Sequence, residues 1–467
     1  MSARVESGLR VVQLVGARVD PTAPMQVGAI ARELGLGLST ASRLCASLQE
    51  LGLLERADDY GAYRLGRAAI RLSGVAAAPI ARAARLELTR AALHSGETVC
   101  LAAPDGEGAR MIAVIESGWT LHAPAEVAEQ VVERDSAIVA AATGALGDLS
   151  VAGGCVESRI GRVVEIAAPV LDPNGDRIAV LAIRLPLYRA ERGAPRARRA
   201  IRVARRNLER AIVAARAATT TADVRAAAAA ATSALDASLR ILTHLAGGAD
   251  TLASTARAAG LRLDRARRLV DTCRGVGLVL GDDRLGLRLS WQVHGWYRAA
   301  LNPTLAGAGA LAVSQAAVST DTCVFLTVLQ GLRSRTLVEH LEPLGEGLRM
   351  RPWLGRVHPI VGSDGGPTML LDLEAEQLAE IFPARFSDHE RGVFLAQVER
   401  VAREGVLTIE SVDELGITSI SAPVIDASGT VAAAACIVGA TERVRPRRSE
   451  LEAAVRELAA QLSALLG

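Results

Sequence analysis

Ser39, Thr40, Ser42 and Arg43 fall within the pentapeptide "STASR". Short hydroxyls beside an arginine are side chains that grip nucleic acid. Hydroxyls and backbone N–H groups at a helix start bind phosphate, and a guanidinium forks onto the edge of guanine. Arg56 and Arg64 follow, either side of a turn rich in Asp and Gly, "RADDYGAYR", where two cations could clamp backbone phosphates. Other chemistries leave no comparable trace. The seven His and six Cys are dispersed, with no C-x-x-C, no H-E-x-x-H and no Cys/His cluster, so no metal is expected and the thiols read as reduced core residues. No Ser/His/Asp order stands out. "GSDGG" (362–366) lacks the strand–G-x-G-x-x-G–helix setting of a nucleotide site. Neither catalysis nor a cofactor is expected.

Elements that would present those side chains can be read around them. "VGAIARELG" (27–35) has helical spacing at Val27, Ile30, Ala31 and Leu34 and closes at Gly35. "LGL" makes a tight turn, and Ser39 is the expected cap of a second helix whose Leu44, Leu48 and Leu51 face inward. The strands "LLER" and "YRLG" then form a hairpin. Two short helices followed by a hairpin describe a helix-turn-helix with a wing, whose second helix enters the major groove by its first turns. A two-helix packing unit without a DNA role is the bland alternative, and the wing is what argues against it.

The plan recurs. "AGLRLDRARRLVDTCRGVGLVLGDDRLGLRLS" (259–290) repeats the Leu, Gly, Ala and Arg skeleton of residues 34–66 at an offset of 224 to 225. "IAAPVLDPNGDRIAVLAI" (166–183) and "ISAPVIDASGTVAAAACI" (420–437) match at a constant offset of 254, each a strand, an Asp/Gly turn and a strand. "SGETVCLAAPDGEGARMIAVIES" (95–117) matches residues 319–343 at an offset of 224. Three matches in one order imply two copies of one plan, the first shorter by about thirty residues. In the second copy that region holds "SDHERGVFLAQVERVAREG" (387–405), a helix capped by Ser387 and stopped by Gly405, which the first copy has lost. Between the copies, residues 196–216 carry eight Arg against one Glu, with Ile201, Ala204, Leu208, Ile212 and Ala215 on one helical face. That helix is either an ordinary solvated face or a surface for DNA phosphates.

At 467 residues the chain is too long for one core, and its 50% apolar content suits packed domains. All 53 basic residues are Arg, against 51 acidic ones, so any surface for nucleic acid must be local. No secretory signal and no apolar run of membrane-spanning length is seen, which leaves a cytoplasmic protein as the expectation.

The stretch from "SGLRVVQLV" through "MQVGAIARELGLGLSTASRLCASLQELGLLER" to "YRLG" resembles the winged helix-turn-helix of the IclR family of bacterial transcription regulators. "SGETVCLAAPDG" and "IAAPVLDPNGDRIAVLAI" resemble that family's C-terminal effector-binding domain. The resemblance implies an α/β (α+β) fold in which two winged helix-turn-helix domains alternate with two GAF-like α/β sensors, the first truncated. The expected domains are 1–74 and 236–292 for the DNA readers, 75–218 and 293–467 for the sensors, and 219–235 as a linker. Its implied partners are promoter DNA and a small-molecule effector, a metabolite carboxylate or aromatic acid, with no membrane. Two tandem copies depart from the family's usual single one, and leave open a homodimer or a pseudo-dimer within the chain. A sensor or interaction protein that keeps the fold without specific DNA binding is the alternative.

The copies also differ where they would meet partners. Ser39, Thr40, Ser42, Arg43, Arg56 and Arg64 are the candidate DNA contacts of the first. In the second, Asp264 and Arg265 replace Ser39 and Thr40, and Arg268 matches Arg43. Arg265 and Arg268 are its candidate contacts, in a helix that either touches phosphates less selectively or serves to pair with the first. The family's pocket maps onto Gly365, Asp413, Ser419, Ser421 and Cys436 of the second sensor. In the first sensor Glu165 stands at the place of Ser419 and Arg184 at that of Val438. They form either a pair plugging a vestigial cavity or, if the register slips by one, two surface charges.

Overall fold

Val5, Leu9, Val12 and Val15 recur at helical spacing and bury one face of α1 (Ala3–Gly16). This helix opens a computed structural model that describes residues 3–147, 149–219, 231–283, 286–343, 349–361, 363, 365–382, 386–411 and 415–467. Two compact units divide the chain, Met1–Ala300 and Leu301–Gly467.

In the first unit, β1 (Met25–Gln26) leads into α2 (Val27–Glu33) and, after Gly35 in the left-handed region at φ +63°, into α3 (Leu38–Glu50). Gly37 rather than Ser39 is the N-cap of α3, and no side chain caps it. The helix begins earlier than the hydroxyl pattern suggested, which moves Ser39 into its first turn. β2 (Leu54–Arg56) and β3 (Ala62–Leu65) form the wing, with β1 on the far side of β3. A second group follows the same order: α7 (Ala234–Ala246), α8 (Leu252–Ala258), α9 (Leu263–Gly275), and the hairpin β11 (Val279–Asp282) with β12 (Gly286–Leu289). A lone bridge between Asp250 and Leu287 stands where β1 meets β3 in the first.

The two groups share one apolar core, in which Val5, Leu9, Leu44 and Leu48 cluster with Leu235, Ile241, Leu269 and Trp296. Glycine makes the approach possible. A Cβ on Gly8 would come within 2.7 Å of Leu235, and one on Gly16 within 2.9 Å of the Trp296 ring. Gln13 donates from Nε2 to the Val276 carbonyl at 2.8 Å across the same seam.

Between these groups, α4 (Arg67–Ser95) runs unbroken through position 74, so the division expected there falls inside a helix. It enters a seven-stranded antiparallel sheet of order β6-β5-β4-β10-β9-β8-β7. Its strands are β4 (Thr98–Asp105), β5 (Gly108–Ile115), β6 (Gln130–Val131), β7 (Ser150–Ala152), β8 (Cys155–Ile160), β9 (Val163–Leu171) and β10 (Arg177–Pro186). One sheet face packs on α4 and α6 (Leu187–Thr219), the other on α5 (Ala137–Thr143). Most of the expected linker, residues 220–230, lies outside the described residues.

After a 3-10 turn at Trp291–Gly295, α10 (Trp296–Ala306) contains the division between units. The second unit continues with α11 (Ala308–Thr320), β13 (Cys323–Gln330), β14 (Arg333–His340), β15 (Val357–Pro359), α12 (Gly366–Met369), α13 (Ala375–Ile381) and α14 (Asp388–Glu404). It closes with β16 (Leu407–Glu410), β17 (Ile417–Ile425), β18 (Val431–Ala440), α15 (Thr441–Val444) and, after a 3-10 turn, α16 (Arg448–Leu465). Its six strands run β15-β14-β13-β18-β17-β16. Ser387 caps α14 in a reciprocal capping box and Gly405 ends it at φ +69°, as the sequence predicts. The first sheet carries α5 and the β7 edge strand in the corresponding interval.

Strand pairing fixes one register more finely than the sequence did. Val438 lies opposite Cys323 and Arg184 opposite Thr98, so the outer hairpins correspond at 323 − 98 = 225 rather than 224. All six cysteines are buried free thiols, and burial pushes Cys100 and Cys273 up to about 12, which suits core residues.

Gly16→Val drives a branched side chain into the Trp296 ring and is expected to cost about 1–3 kcal/mol. Leu235→Ala is expected to cost about 2–5 kcal/mol. Thermal denaturation followed by circular dichroism measures both, and unchanged midpoints would mean that the two helical groups do not depend on one core.

Candidate functional site

Helix α3 turns Ala41, Leu44, Cys45 and Leu48 inward, so Ser39, Thr40, Ser42 and Arg43 are exposed on its outer face. Among the described residues the only tether on Arg43 is a 3.2 Å bond from its Nε to the Ser39 carbonyl one turn back, which leaves the fork of the guanidinium available. Arg56 and Arg64 are exposed on the wing strands, Arg64 beside Glu55 at 3.5 Å. Two further residues join this surface that composition and spacing did not single out. Arg4 of α1 lines a recess with Thr40 and Arg43, and Tyr60 stands 98% exposed at the wing tip. Arg4 belongs to another helix, and only the packing of α1 against α3 brings it there.

The corresponding face of α9 has the same shape and a different charge pattern. Arg265 and Arg268 are exposed, but Arg268 meets Asp264 at 3.4 Å. Arg267 meets Asp283 at 3.2 Å, and Arg274 lies between Asp271 and Asp283. On β12, Arg288 is held by Asp172 at 3.2 Å and Asp176 at 2.7 Å, both from the turn between β9 and β10. Acids therefore occupy Arg268, one of the two cations that the sequence offered to phosphate, together with its neighbours Arg267, Arg274 and Arg288.

The second unit contains a cavity of about 260 Å³ over one face of its sheet. Three of the expected residues, Gly365, Ser419 and Cys436, line it. Ser421 shares the side of β17 that Ser419 faces, but α12 covers it, and its hydroxyl is bonded to Thr368 Oγ1 at 2.8 Å. Asp413 lies outside the described residues. Gly365 is where the chain touches the sheet, since a Cβ there would sit 3.2 Å from Cys436 Sγ and 3.4 Å from Thr327 Oγ1.

Apart from Ser363 of "GSDGG", the other walls come from positions that no motif marks. Phe325, Trp353 and Met350 supply apolar surface, and Thr327, Ser334, Thr336, Ser363 and Ser411 supply hydroxyls. His358 stacks on Trp353 with ring centroids 4.4 Å apart, and its buried Nε2 has no hydrogen-bond partner among the described residues. Burial, helped by the Arg356 charge, pushes its imidazole below the usual range, so it meets a ligand as a neutral ring. No Arg, Asp or Glu is among the described lining residues. Alternation along β13 and β14 could have found Thr327, Ser334 and Thr336, given the correct register. Trp353 and His358 enter from a loop and a short edge strand, which leave no periodic trace.

The matching face of the first sheet is filled. Glu165 is fully buried, and Arg184 approaches it with Nε 3.3 Å from Oε1. Ser136, the N-cap of α5, donates to Glu165 Oε2 at 2.6 Å, and Ser158 does so at 3.3 Å. Arg184 also reaches Glu129 at 3.1 Å and the Pro124 carbonyl at 2.8 Å. Burial opposes its charge, but Glu165 and Glu129 outweigh that cost and hold the guanidinium above its ordinary range. Helix α5 lays Ala137, Ile138 and Ala141 over Cys100, Ala102, Met111 and Ala182. The two charges face inward and are not on the surface.

Comparisons with known proteins match two segments of the chain. The model of the IclR helix-turn-helix domain matches residues 5–58, and that of the bacterial transcriptional regulator IclR C-terminal domain matches residues 306–464. Among solved structures, an IclR transcriptional regulator from Alicyclobacillus acidocaldarius is 20% identical, with 50% of this chain and 98% of that one covered at a TM-score of 0.30. Pseudomonas aeruginosa HmgR is 21% identical, with 48% and 96% covered at a TM-score of 0.34. A comparison with curated proteins finds no match. Among the described residues no helix is long and apolar enough to cross a membrane.

Removing one partner of a buried ion pair strands the other, so Glu165→Ala is expected to cost about 3 kcal/mol or more. The double variant Glu165→Ser with Arg184→Val should recover most of that loss. Urea denaturation decides it; a neutral Glu165→Ala would mean that the pair does not support the first sheet.

Proposed function

We propose that this chain, which carries the helix-turn-helix and C-terminal domains of an IclR-family transcriptional regulator, reads promoter DNA through an internal pair of unequal modules and answers to one small effector. The observation that carries the reading is the exposed row of Ser39, Thr40, Ser42 and Arg43 on a helix whose opposite face is fixed in a core shared with the second helical group. A shared core holds two reading helices at a set separation, which two half-sites about one helical turn apart require. Recurrence of the same element order and strand register in both halves supports a tandem duplication with GAF-like sensors. On this reading the boundaries are 1–74, 75–218, 236–292 and 293–467, with 219–235 as linker.

The two modules divide the work. Ser39, Thr40, Ser42 and Arg43 read base edges while Arg56 and Arg64 hold phosphates. Arg265 and Arg268 add a phosphate-led contact weakened by Asp264, so the operator is asymmetric. The acids set against Arg267, Arg268 and Arg274 favour a second role for α9 as structural partner of the first module.

The effector belongs in the cavity of the second unit, held by Ser419, Cys436 and the Gly365 segment, with Asp413 nearby. Aromatic walls and several hydroxyls suit a small aromatic acid or related carboxylate, its oxygens taken up by hydroxyl donors. The first sensor, filled by α5 and the Glu165–Arg184 pair, binds no effector. Reading promoter DNA sets the protein in the cytoplasm, and no step of the function is catalytic.

Thr40→Ala with Arg43→Ala should weaken binding to selected promoter DNA about 10- to 100-fold, while Arg265→Ala with Arg268→Ala costs less and leaves sequence preference intact. A gel-shift titration over a salt series measures both, and equal binding by wild type to any duplex would defeat the reading. Gly365→Val should abolish the response of DNA binding to effector and leave the basal shift unchanged.

A further inference from the structure

The helix α6 presents a charge pattern that neither the reading surface nor the cavity uses. Its inner face is apolar, with Ala197, Ile201, Ala204 and Leu208 buried against the first sheet. Its outer face carries Arg192, Arg196, Arg199, Arg206 and Arg210, all exposed. At 100° per residue these five lie within about 40° of one line, and at 1.5 Å per residue they span about 27 Å. Among the described residues, Arg192, Arg196, Arg199 and Arg206 have no acidic or hydrogen-bonding side chain as partner, whereas Arg198 and Arg205, on the flank, are paired with Glu157 and Glu209.

An ordinary solvated face looks different, and the second unit supplies the comparison. There α16 follows the corresponding strand, and its arginines alternate with acids: Arg448 is bonded to Glu452 at 2.7 Å, and Arg447, just before it, to Glu450 at 2.6 Å. With a net charge of only +2 over the chain, a row of five cations on α6, only Arg210 of them held by a side chain (Asn207 Oδ1 at 2.9 Å) among the described residues, is a local concentration.

We infer that the outer face of α6 is a second DNA contact, a sequence-independent track for the backbone of duplex flanking the operator. Charge complementarity is one ground, since duplex DNA presents a phosphate about every 1.7 Å of axis. Continuity with the reading module is the other. The C-terminal part of α6, at Ile212 and Ala215, shares the walls of a cavity of about 120 Å³ with Leu245 and Ala246 of α7 and Leu289 of the second wing. The row therefore begins beside the second reading group and leads away from it. The inference rests on the DNA-reading function proposed above, and adds that DNA beyond the operator is drawn along the first sensor.

Full-length protein, wild type and the quadruple variant Arg192→Ser, Arg196→Ser, Arg199→Ser and Arg206→Ser, should be titrated with operator duplexes of 20 and 60 base pairs over a salt series, lengths of about two and six helical turns. Each phosphate contact contributes about 0.9 to the slope of log affinity against log salt. On the long duplex the variant is expected to lose about 2–4 in slope and to bind about 10- to 100-fold more weakly. On the short one it should match wild type, and a quadruple Arg→Lys variant should match wild type on both. Equal slopes on the long duplex overturn the inference. So does an equal loss on both duplexes, which would be long-range charge without contact. If Thr40→Ala with Arg43→Ala abolishes binding while the α6 variant does not alter it, the reading function stands and the track falls. If wild type binds neither duplex, both fall.

Discussion

The close packing of α1 on α7 and α9 is the contact on which the rest of the molecule depends. Gly8 and Gly16 lack the Cβ that would strike Leu235 and Trp296, so two helical groups far apart in sequence close over one apolar core. A Cβ at either site forces a shift in a close-packed interior, where even a methylene is felt. Once that core is formed, the outer faces of α3 and α9 are set relative to each other without a second chain. Ser73 strengthens the arrangement, donating to the Val293 carbonyl and accepting from the Tyr297 amide at 3.0 Å, which ties α4 to the turn before α10.

Charge then distinguishes halves that share a plan. On α3 the polar side chains are left to solvent, whereas Asp264, Asp271 and Asp283 take up Arg267, Arg268 and Arg274 of α9. The two sheets differ in the opposite sense. Where the second has Ser419 and Val438 on the wall of a cavity, the first has Glu165 and Arg184 in contact at the same paired positions of adjacent strands. A carboxylate with no exposed surface is tolerable only because Ser136, Ser158 and Arg184 surround it. The polar cluster that stabilises α5 over the sheet also removes the space a ligand would need. The module whose helix leaves its polar side chains to solvent is thus attached to the filled sheet.

Much of this was legible in the sequence, and the limits were physical. Helical spacing located α2, α3 and α6, and capping chemistry located both ends of α14. Ser39 was misassigned as a cap because a glycine can occupy the N-cap position with no side chain to announce it. The Glu165–Arg184 contact followed from a constant offset and strand alternation, which hold across a two-residue period. The outer hairpins were placed one residue out, because "TVC" and "TCV" align equally well at the wrong step. Trp353 and His358 were invisible, since a loop and a three-residue edge strand carry no period. Which α6 arginines are paired, as Arg198 and Arg205 are, required knowing where Glu157 and Glu209 point.

Selection of bound duplexes from a random pool by the full chain tests the central claim most directly. An internal pair of unequal readers predicts an asymmetric consensus: one well-defined half-site, and beside it, about one helical turn away, a weakly specified one. A perfect palindrome with two equally strong halves would contradict the account, because it would mean that like modules from two chains, and not the unlike modules of one, meet the DNA.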